Sequence, residues 1–269
     1  MTKAGLVLGG KTKYGFFTDG VLDVFLESGI DFPYLVSTSG TARAAANFIS
    51  GQAGRYFRQA EEEAYRQSGI MRRFLSDDKN NFRQIAAFDY SAYFSSETKH
   101  ELVLTDYDTG KPAYLSEKKL KSRFDLILSA SESEPFLSHE VRVDNKEYFS
   151  GVISDAIPLK RCISFGCKKV VLVLSEAFGQ LPLLEQAASS FYWLAFRKHP
   201  EFAQSAANYD QLIKKQLNQL KTAKATGNVF VIQPQADFNE RNVSPGTAYF
   251  NGREQALKEL EKLKDFLKD

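Results

Sequence analysis

Ser39 stands in the run Ser37-Thr38-Ser39-Gly40-Thr41, after the apolar Tyr34-Leu35-Val36 and before the Ala-rich stretch from Ala42 to Gly51. A serine between a buried strand and a helix of small residues is the arrangement of a nucleophile elbow, where a sharp turn presents the hydroxyl at the edge of a sheet. Strand and helix approach closely at such a turn, so its neighbours must be small. Gly40, Thr41, Ala42, Ala44 and Ala45 meet that need in part. A second reading fits equally well: serine is a favoured helix N-cap that accepts from the free N–H groups of the first turn. The elbow reading predicts an exposed Ser39 hydroxyl on a strained turn at the C-terminal edge of the sheet, facing residues 10 to 15.

Gly5 to Thr12 formally matches the phosphate-loop pattern G-x-x-x-x-G-K-[ST]. In such a loop a strand precedes the first glycine and the intervening residues curl around the phosphates. Here Leu6-Val7-Leu8 is itself the strand, with four residues ahead of Gly5. Nucleotide binding through Gly10-Lys11-Thr12 therefore stays a minor alternative. Cys162 and Cys167 have neither the spacing of a CxxC motif nor a second pair for zinc. They read as buried free thiols, and no metal or other cofactor is expected.

The elements around these residues follow from periodicity. Gly5 to Leu8 is a short buried strand; Phe16, Val21, Leu22, Phe25 and Leu26 recur at helical spacing, and Gly29 ends that helix. Strand, glycine loop, helix, strand, sharp turn and helix in that order point to a parallel sheet with right-handed crossovers. Residues 53 to 87 read as charged and helical. Glu101 to Tyr107 and Pro112 to Leu115 form a hairpin around Asp108-Thr109-Gly110-Lys111, and Val141 to Val143 and Glu147 to Phe149 flank a second turn. Phe124 to Ser131 fits helix or strand. Lys169 to Ser175 and Val229 to Gln233 are buried strands, and helices fill 184 to 198, 202 to 226 and 252 to 267. No internal repeat or linker divides the chain. It reads as one domain over 1–269, with residues from about 184 to 269 as a largely helical C-terminal extension.

Composition narrows the class. Hydrophobic residues make up 43% and charged residues 25% of 269, which is globular. Lys plus Arg is 35 and Asp plus Glu 33, a net charge of +2 that argues against a dedicated nucleic-acid binder. The N-terminal MTKAGLVLGGK has an apolar core far shorter than a secretion signal, and no apolar run approaches a membrane span. A cytoplasmic protein is the expectation. Phe191, Tyr192, Trp193 and Phe196, followed by Arg197 and Lys198, offer an amphipathic helix for a bilayer surface. Few cations line its polar face, so a core-facing helix is expected, with at most peripheral membrane contact. The charged C-terminal helix reads as a solvated lid.

Taken together, these residues resemble the bacterial patatin-like phospholipase family. That family opens with a strand, a G-G-G-x-R-G oxyanion loop, a helix and a G-x-S-x-G elbow, and completes a Ser–Asp dyad with D-G-G or D-G-A. Phe17-Thr18 and Gly20-Val21-Leu22-Asp23 follow its run after the oxyanion loop, and Thr105-Asp106 with Thr109-Gly110-Lys111-Pro112 matches its middle hairpin. Glu147 to Pro158 sits where the family reads roughly YLDGGISDPIP. The resemblance covers most of the chain. It implies an α/β fold with a mostly parallel central sheet flanked by helices on both faces. It also implies a metal-free serine lipid acyl hydrolase with an acyl lipid or small ester in the cleft.

The departures fall on the chemistry. The oxyanion triplet becomes Gly10-Lys11-Thr12, Tyr14 replaces the arginine, and both elbow glycines around Ser39 are gone. Ser150 stands at the dyad aspartate position. A hydroxyl there cannot hold the Ser39 proton at neutral pH, so hydrolysis is expected to be weak or absent. The alternative is a pseudoenzyme that binds an acyl lipid or a partner. Asp155 and His139 are the residues that could substitute as base; turn hydrogen bonding for Asp155 and a solvated loop for His139 are the plainer roles. His100 and His199 carry no special signal.

Overall fold

The computed structural model describes residues 4–10, 15–67, 87–177, 186–236 and 238–268. Among these, eight strands form one sheet: β1 (Ala4–Gly9), β2 (Tyr34–Thr38), β3 (Lys99–Asp106), β4 (Pro112–Leu115), β5 (Val141–Val143), β6 (Lys146–Ser150), β7 (Lys169–Leu174) and β8 (Val229–Ile232). The order is β5-β6-β3-β2-β1-β7-β8, with β4 also paired to β3. β3, β2, β1, β7 and β8 run parallel, β4 and β6 pair antiparallel with β3, and β5 pairs antiparallel with β6. Buried on both faces, β1 and β7 read as continuous apolar runs, as the inner strands of a parallel sheet must.

Helices cover both faces. In chain order they are α1 (Phe16–Glu27), α2 (Thr41–Ile49), α3 (Arg55–Gln67), α4 (Tyr90–Ser95), α5 (Lys121–Glu132), α6 (Leu159–Ser164), α7 (Gln186–Ala195), α8 (Pro200–Ala207), α9 (Tyr209–Ala225) and α10 (Pro245–Lys268). The alternation of β1 divides the core: Leu6 and Leu8 pack with Val21, Leu22 and Phe25 of α1, whereas Val7 packs with Phe202, Ile213 and Leu220 of α8 and α9. A third cluster joins Leu102 and Leu104 of β3 to Tyr93 and Phe124. The chain thus has the expected α/β architecture, a central sheet with helices on both faces.

Both hairpins form. β3 and β4 close over a turn in which Asp106 Oδ1 accepts from the Thr109 N–H and hydroxyl, both at 2.9 Å. β5 and β6 close over Asp144 and Asn145 at φ 50° and 67°, the positive pair of a type I′ turn. Phe124 to Ser131 falls in α5.

Several expectations are corrected. The helix expected over 202 to 226 is two helices: Pro200, pre-set for a first helical turn, starts α8, and Asn208 separates it from α9. The strand expected at Val229 to Gln233 does form, as β8, and joins the sheet beside β7. The C-terminal helix is no solvated lid. It begins at Pro245 and packs along α1, where a Cβ on Gly20 would lie 2.0 Å from Tyr249 O and one on Gly252 2.0 Å from Phe17 O. α7 faces the core only in part: Tyr192 packs against it, whereas Phe191, Trp193 and Leu194 are exposed. Three consecutive aromatics point around most of a helix turn, so one buried face cannot take them all. Among the described residues, no helix is long and apolar enough to cross a membrane.

Candidate functional site

The sheet registers bring two serines together. β2 pairs with β3 from Lys99 to Val103, and β6 pairs with β3 from Leu104 to Asp106. β4 pairs with Leu102 to Thr105, overlapping both, so it occupies the opposite edge of β3. β2 and β6 therefore meet end to end on one edge. Thr38 partners Val103 and Ser150 partners Leu104, one residue step or about 3.3 Å along β3. Ser39 turns away from the sheet where Ser150 ends its strand.

The elbow has the expected backbone. Ser39 has φ 54°, a left-handed conformation that a non-glycine residue rarely takes, and it lies between β2 and α2 rather than within a helix. The Thr41 hydroxyl donates to Thr38 O at 2.7 Å and Ala42 N–H to Ser39 O at 3.2 Å, bracing the turn. The expected exposure is not found: Ser39 is only 1% exposed. Gly15 has φ 74°, and a Cβ there would lie 2.8 Å from Gly40 O. Gly15 thus lies against the turn that carries Ser39, while Gly10 packs at the ends of other elements. Gly10 has φ 111°, donates to Ala156 O at 3.0 Å, and would drive a Cβ to 2.3 Å from Ser175 Oγ. Lys11, Thr12 and Tyr14 lie outside the described residues.

Ser150 is wholly buried. Its N–H donates to Ser133 O at 2.7 Å and its carbonyl accepts from Thr105 Oγ1 at 2.8 Å, but its own Oγ has no hydrogen-bond partner among the described residues. The neighbouring Thr38 Oγ1 is likewise without one. An orphaned buried hydroxyl forfeits the stabilisation a satisfied one would give, and such groups are rare in folded proteins.

Asp155 Oδ2 accepts from Tyr114 at 2.6 Å and Oδ1 accepts from Gln216, so both oxygens are held within β4 and α9. Burial pushes its carboxyl up, against the pull of those two hydrogen bonds. The His139 side chain is exposed, on a loop tied down by the Ser133 hydroxyl donating to His139 O.

Three further groups escaped the sequence reading. His100 lies fully buried between Ser37 Oγ, 2.8 Å from Nε2, and the Tyr93 hydroxyl, 2.9 Å from Nδ1. Burial pushes its pKa down to about 3, so it is a neutral strut fixing β2 two residues before Ser39. Glu240 Oε1 accepts from Phe16 N–H at 2.5 Å, placing a carboxylate at the N-terminus of α1, where the helix dipole favours it. Glu101 accepts from Tyr34 at 2.7 Å, from Arg161 at 2.6 and 2.9 Å, and pairs with Lys99 at 2.8 Å. Ser37 is 63 residues from His100 and Phe16 is 224 from Glu240, which is why pattern alone missed these contacts.

The Glu101 network gives a pH prediction. Burial raises its pKa, but the hydrogen bonds from Arg161, Lys99 and Tyr34 outweigh burial and bring it down to about 2. A carboxyl lowered on folding stabilises above its unfolded value, near 4.3, and loses that contribution as pH falls toward 2. The stability gap between the wild type and Glu101→Gln is therefore expected to be about 3 kcal/mol at pH 7 and to close between about pH 5 and 2. Buried Asp19 and Asp23, whose carboxyls are pushed up chiefly by burial, titrate in both proteins and cancel in the difference. Urea unfolding across that range checks it; a gap constant down to pH 2 would refute the assignment.

No family model matches the chain, and no curated protein matches it either. Among solved structures it is similar to the crystal structure of VipD from Legionella pneumophila, at 13% sequence identity and a TM-score of 0.46, over 97% of this chain and 67% of that one.

Proposed function

We propose that this chain carries a patatin-like serine acyl-hydrolase scaffold on which hydrolysis is weak or lost, and that its site holds an acyl lipid or small ester beside Ser39. The observation that carries the reading is the Ser150 hydroxyl, buried at the elbow with no hydrogen-bond partner among the described residues. The resemblance expects a carboxylate there. In a Ser–Asp dyad the carboxylate takes the serine proton during attack and returns it to the leaving group. A neutral hydroxyl cannot, and losing a base or nucleophile typically costs on the order of 10⁴ to 10⁶ in turnover. The positive φ of Ser39 and the approach of Gly15 to Gly40 support retention of the elbow itself.

Hydrolysis of short p-nitrophenyl esters by the wild type should barely exceed that of Ser39→Ala, and fluorophosphonate labelling should be correspondingly faint. A large Ser39-dependent turnover would overturn the reading and direct attention to Asp155 or His139 as the base.

A further inference from the structure

Cys162 and Cys167 are the only cysteines of the chain, both free and both buried. The way α6 ends brings them together. Gly166 follows the helix at φ 101°, its N–H donates to Ile163 O at 2.9 Å, and Cys167 N–H reaches back to Cys162 O at 3.4 Å. These are the paired hydrogen bonds of a Schellman motif, whose glycine supplies the positive φ that turns the chain back on itself. In that motif the residue after the glycine packs on the residue four before it, and here both are cysteine. A spacing of five, which suits no linear redox motif, is the spacing at which a helix cap makes two side chains meet.

The two sulfurs share one site against β1. A Cβ on Gly5 would collide with both Sγ atoms, so the glycine leaves the pair its space, and the two thiols hydrogen-bond to each other. A disulfide spans roughly 4.4–6.8 Å between Cα atoms. The 3.4 Å hydrogen bond between the same two residues holds their backbones to a separation of that order. The pair lies one layer beneath the surface: residues 163–166 between them are all exposed, and a Cβ on Gly166 would meet nothing within 4 Å. An oxidant therefore has one turn to open, not the sheet. Cys167 is 5% exposed and Cys162 fully buried. The hydrogen bond with Cys167, together with burial, pushes the Cys162 thiol up, which leaves the first attack to Cys167.

We propose that Cys162 and Cys167 are a reversible oxidation site, a dithiol that small disulfides such as glutathione disulfide convert to an intramolecular disulfide. The Cys167 thiolate attacks one sulfur of glutathione disulfide, breaking its S–S bond and releasing one glutathione. Cys162 then attacks the Cys167 sulfur of the mixed disulfide, forming the Cys162–Cys167 bond and releasing the second glutathione. The protein loses two electrons and two protons, and the oxidant takes up both to become two thiols. The new bond staples the end of α6 to the residues leading into β7. Arg161 of the same helix holds Glu101 of β3, and Phe165 at its end stacks on Tyr34 of β2 at 4.0 Å. Oxidation therefore fixes the helix that braces β2 and β3 against β7. It makes no use of Ser39 and is independent of the acyl-hydrolase reading.

The test treats the native protein with glutathione disulfide, quenches it in acid, then denatures, alkylates and digests it with trypsin. Cleavage after Arg161 and Lys168 releases both cysteines in one peptide. That peptide should be lighter by two hydrogens and carry no alkyl group, and dithiothreitol should restore both thiols. Cys162→Ala should stop at a glutathione adduct on Cys167. In glutathione redox buffers the intramolecular bond should be favoured at least about tenfold more in the folded protein than in concentrated urea, since only the folded cap holds the thiols together. This last comparison uses the wild type alone and does not depend on how a variant folds. The proposal is overturned if the native protein keeps both thiols while the unfolded chain loses them, or if the wild type stops at a glutathione adduct. It also fails if the bond joins two copies of the chain, if Cys162→Ala takes up no glutathione, or if urea favours the bond as strongly as the fold does.

Discussion

Ser150→Asp is expected to raise Ser39-dependent ester cleavage by at least about 10²-fold, the lower range of what a positioned general base contributes. The end-to-end meeting of β2 and β6 puts residue 150 beside the elbow, and a carboxylate reaches one bond further than the hydroxyl it replaces. The substitution should also cost about 1–3 kcal/mol of stability, because the site is fully buried and must admit a larger, charged group. Ser150→Ala is the control. Deleting a hydroxyl that has no partner should leave the melting temperature unchanged or slightly raised, since nothing is left unpaired. Adding Lys11→Gly and Thr12→Gly to Ser150→Asp should raise cleavage further by restoring backbone freedom to the oxyanion segment. Both repairs serve one transition state, so their effects should be strongly non-additive. A triple variant that folds normally yet stays as inert as the wild type would remove the mechanistic half of the reading and leave the fold.

Elements with a local signature were legible in the sequence. β1, β7 and β8 are runs of apolar residues, the two hairpins announce themselves through Asp108 to Lys111 and Asp144 to Lys146, and the Ser39 turn follows from small residues after a strand. What stayed hidden depends on partners far along the chain. The packing at the Ser39 turn needs Gly15 against Gly40, and the role of His100 needs Ser37, 63 residues away. The ties on Asp155 come from Tyr114 and Gln216, 41 and 61 residues away. The aromatic run at 191–193 was visible, but which of its members faced core and which solvent was decided by the helix rotation that turns Tyr192 inward and leaves Phe191 and Trp193 exposed. The misreading of α10 has the same cause. Its charged residues dominate the composition, while the stripe of Ala248, Gly252 and Ala256 that makes the contact is chemically quiet.

That stripe carries a prediction whose sign is opposite to helix propensity. Gly252→Ala in a helix interior would ordinarily stabilise by about 1 kcal/mol. Here the added Cβ would stand 2.0 Å from Phe17 O, and the obstacle is backbone rather than a side chain that can swing aside. Gly20 faces Tyr249 O in the same way, so the helices cannot relieve the clash by a small slide. Parting them would strip packing from Phe17, Val21 and Tyr249 in the core cluster between α1, α10 and the sheet. The expected net loss is about 2–3 kcal/mol, or roughly 5–10 °C in melting temperature. Leu257→Ala, on the exposed side of the same helix, should change stability by no more than about 0.5 kcal/mol. The effect should reach the site as well. α1 begins beside Gly15, which touches the turn at Gly40, so displacing α1 disturbs the backbone that positions Ser39. On the Ser150→Asp background, Gly252→Ala should therefore slow fluorophosphonate labelling at temperatures where the protein remains folded. Full stability in Gly252→Ala would mean that the two helices pack further apart than their glycines imply. Lost stability with unchanged labelling would confine α10 to holding the fold together and sever its link to the elbow.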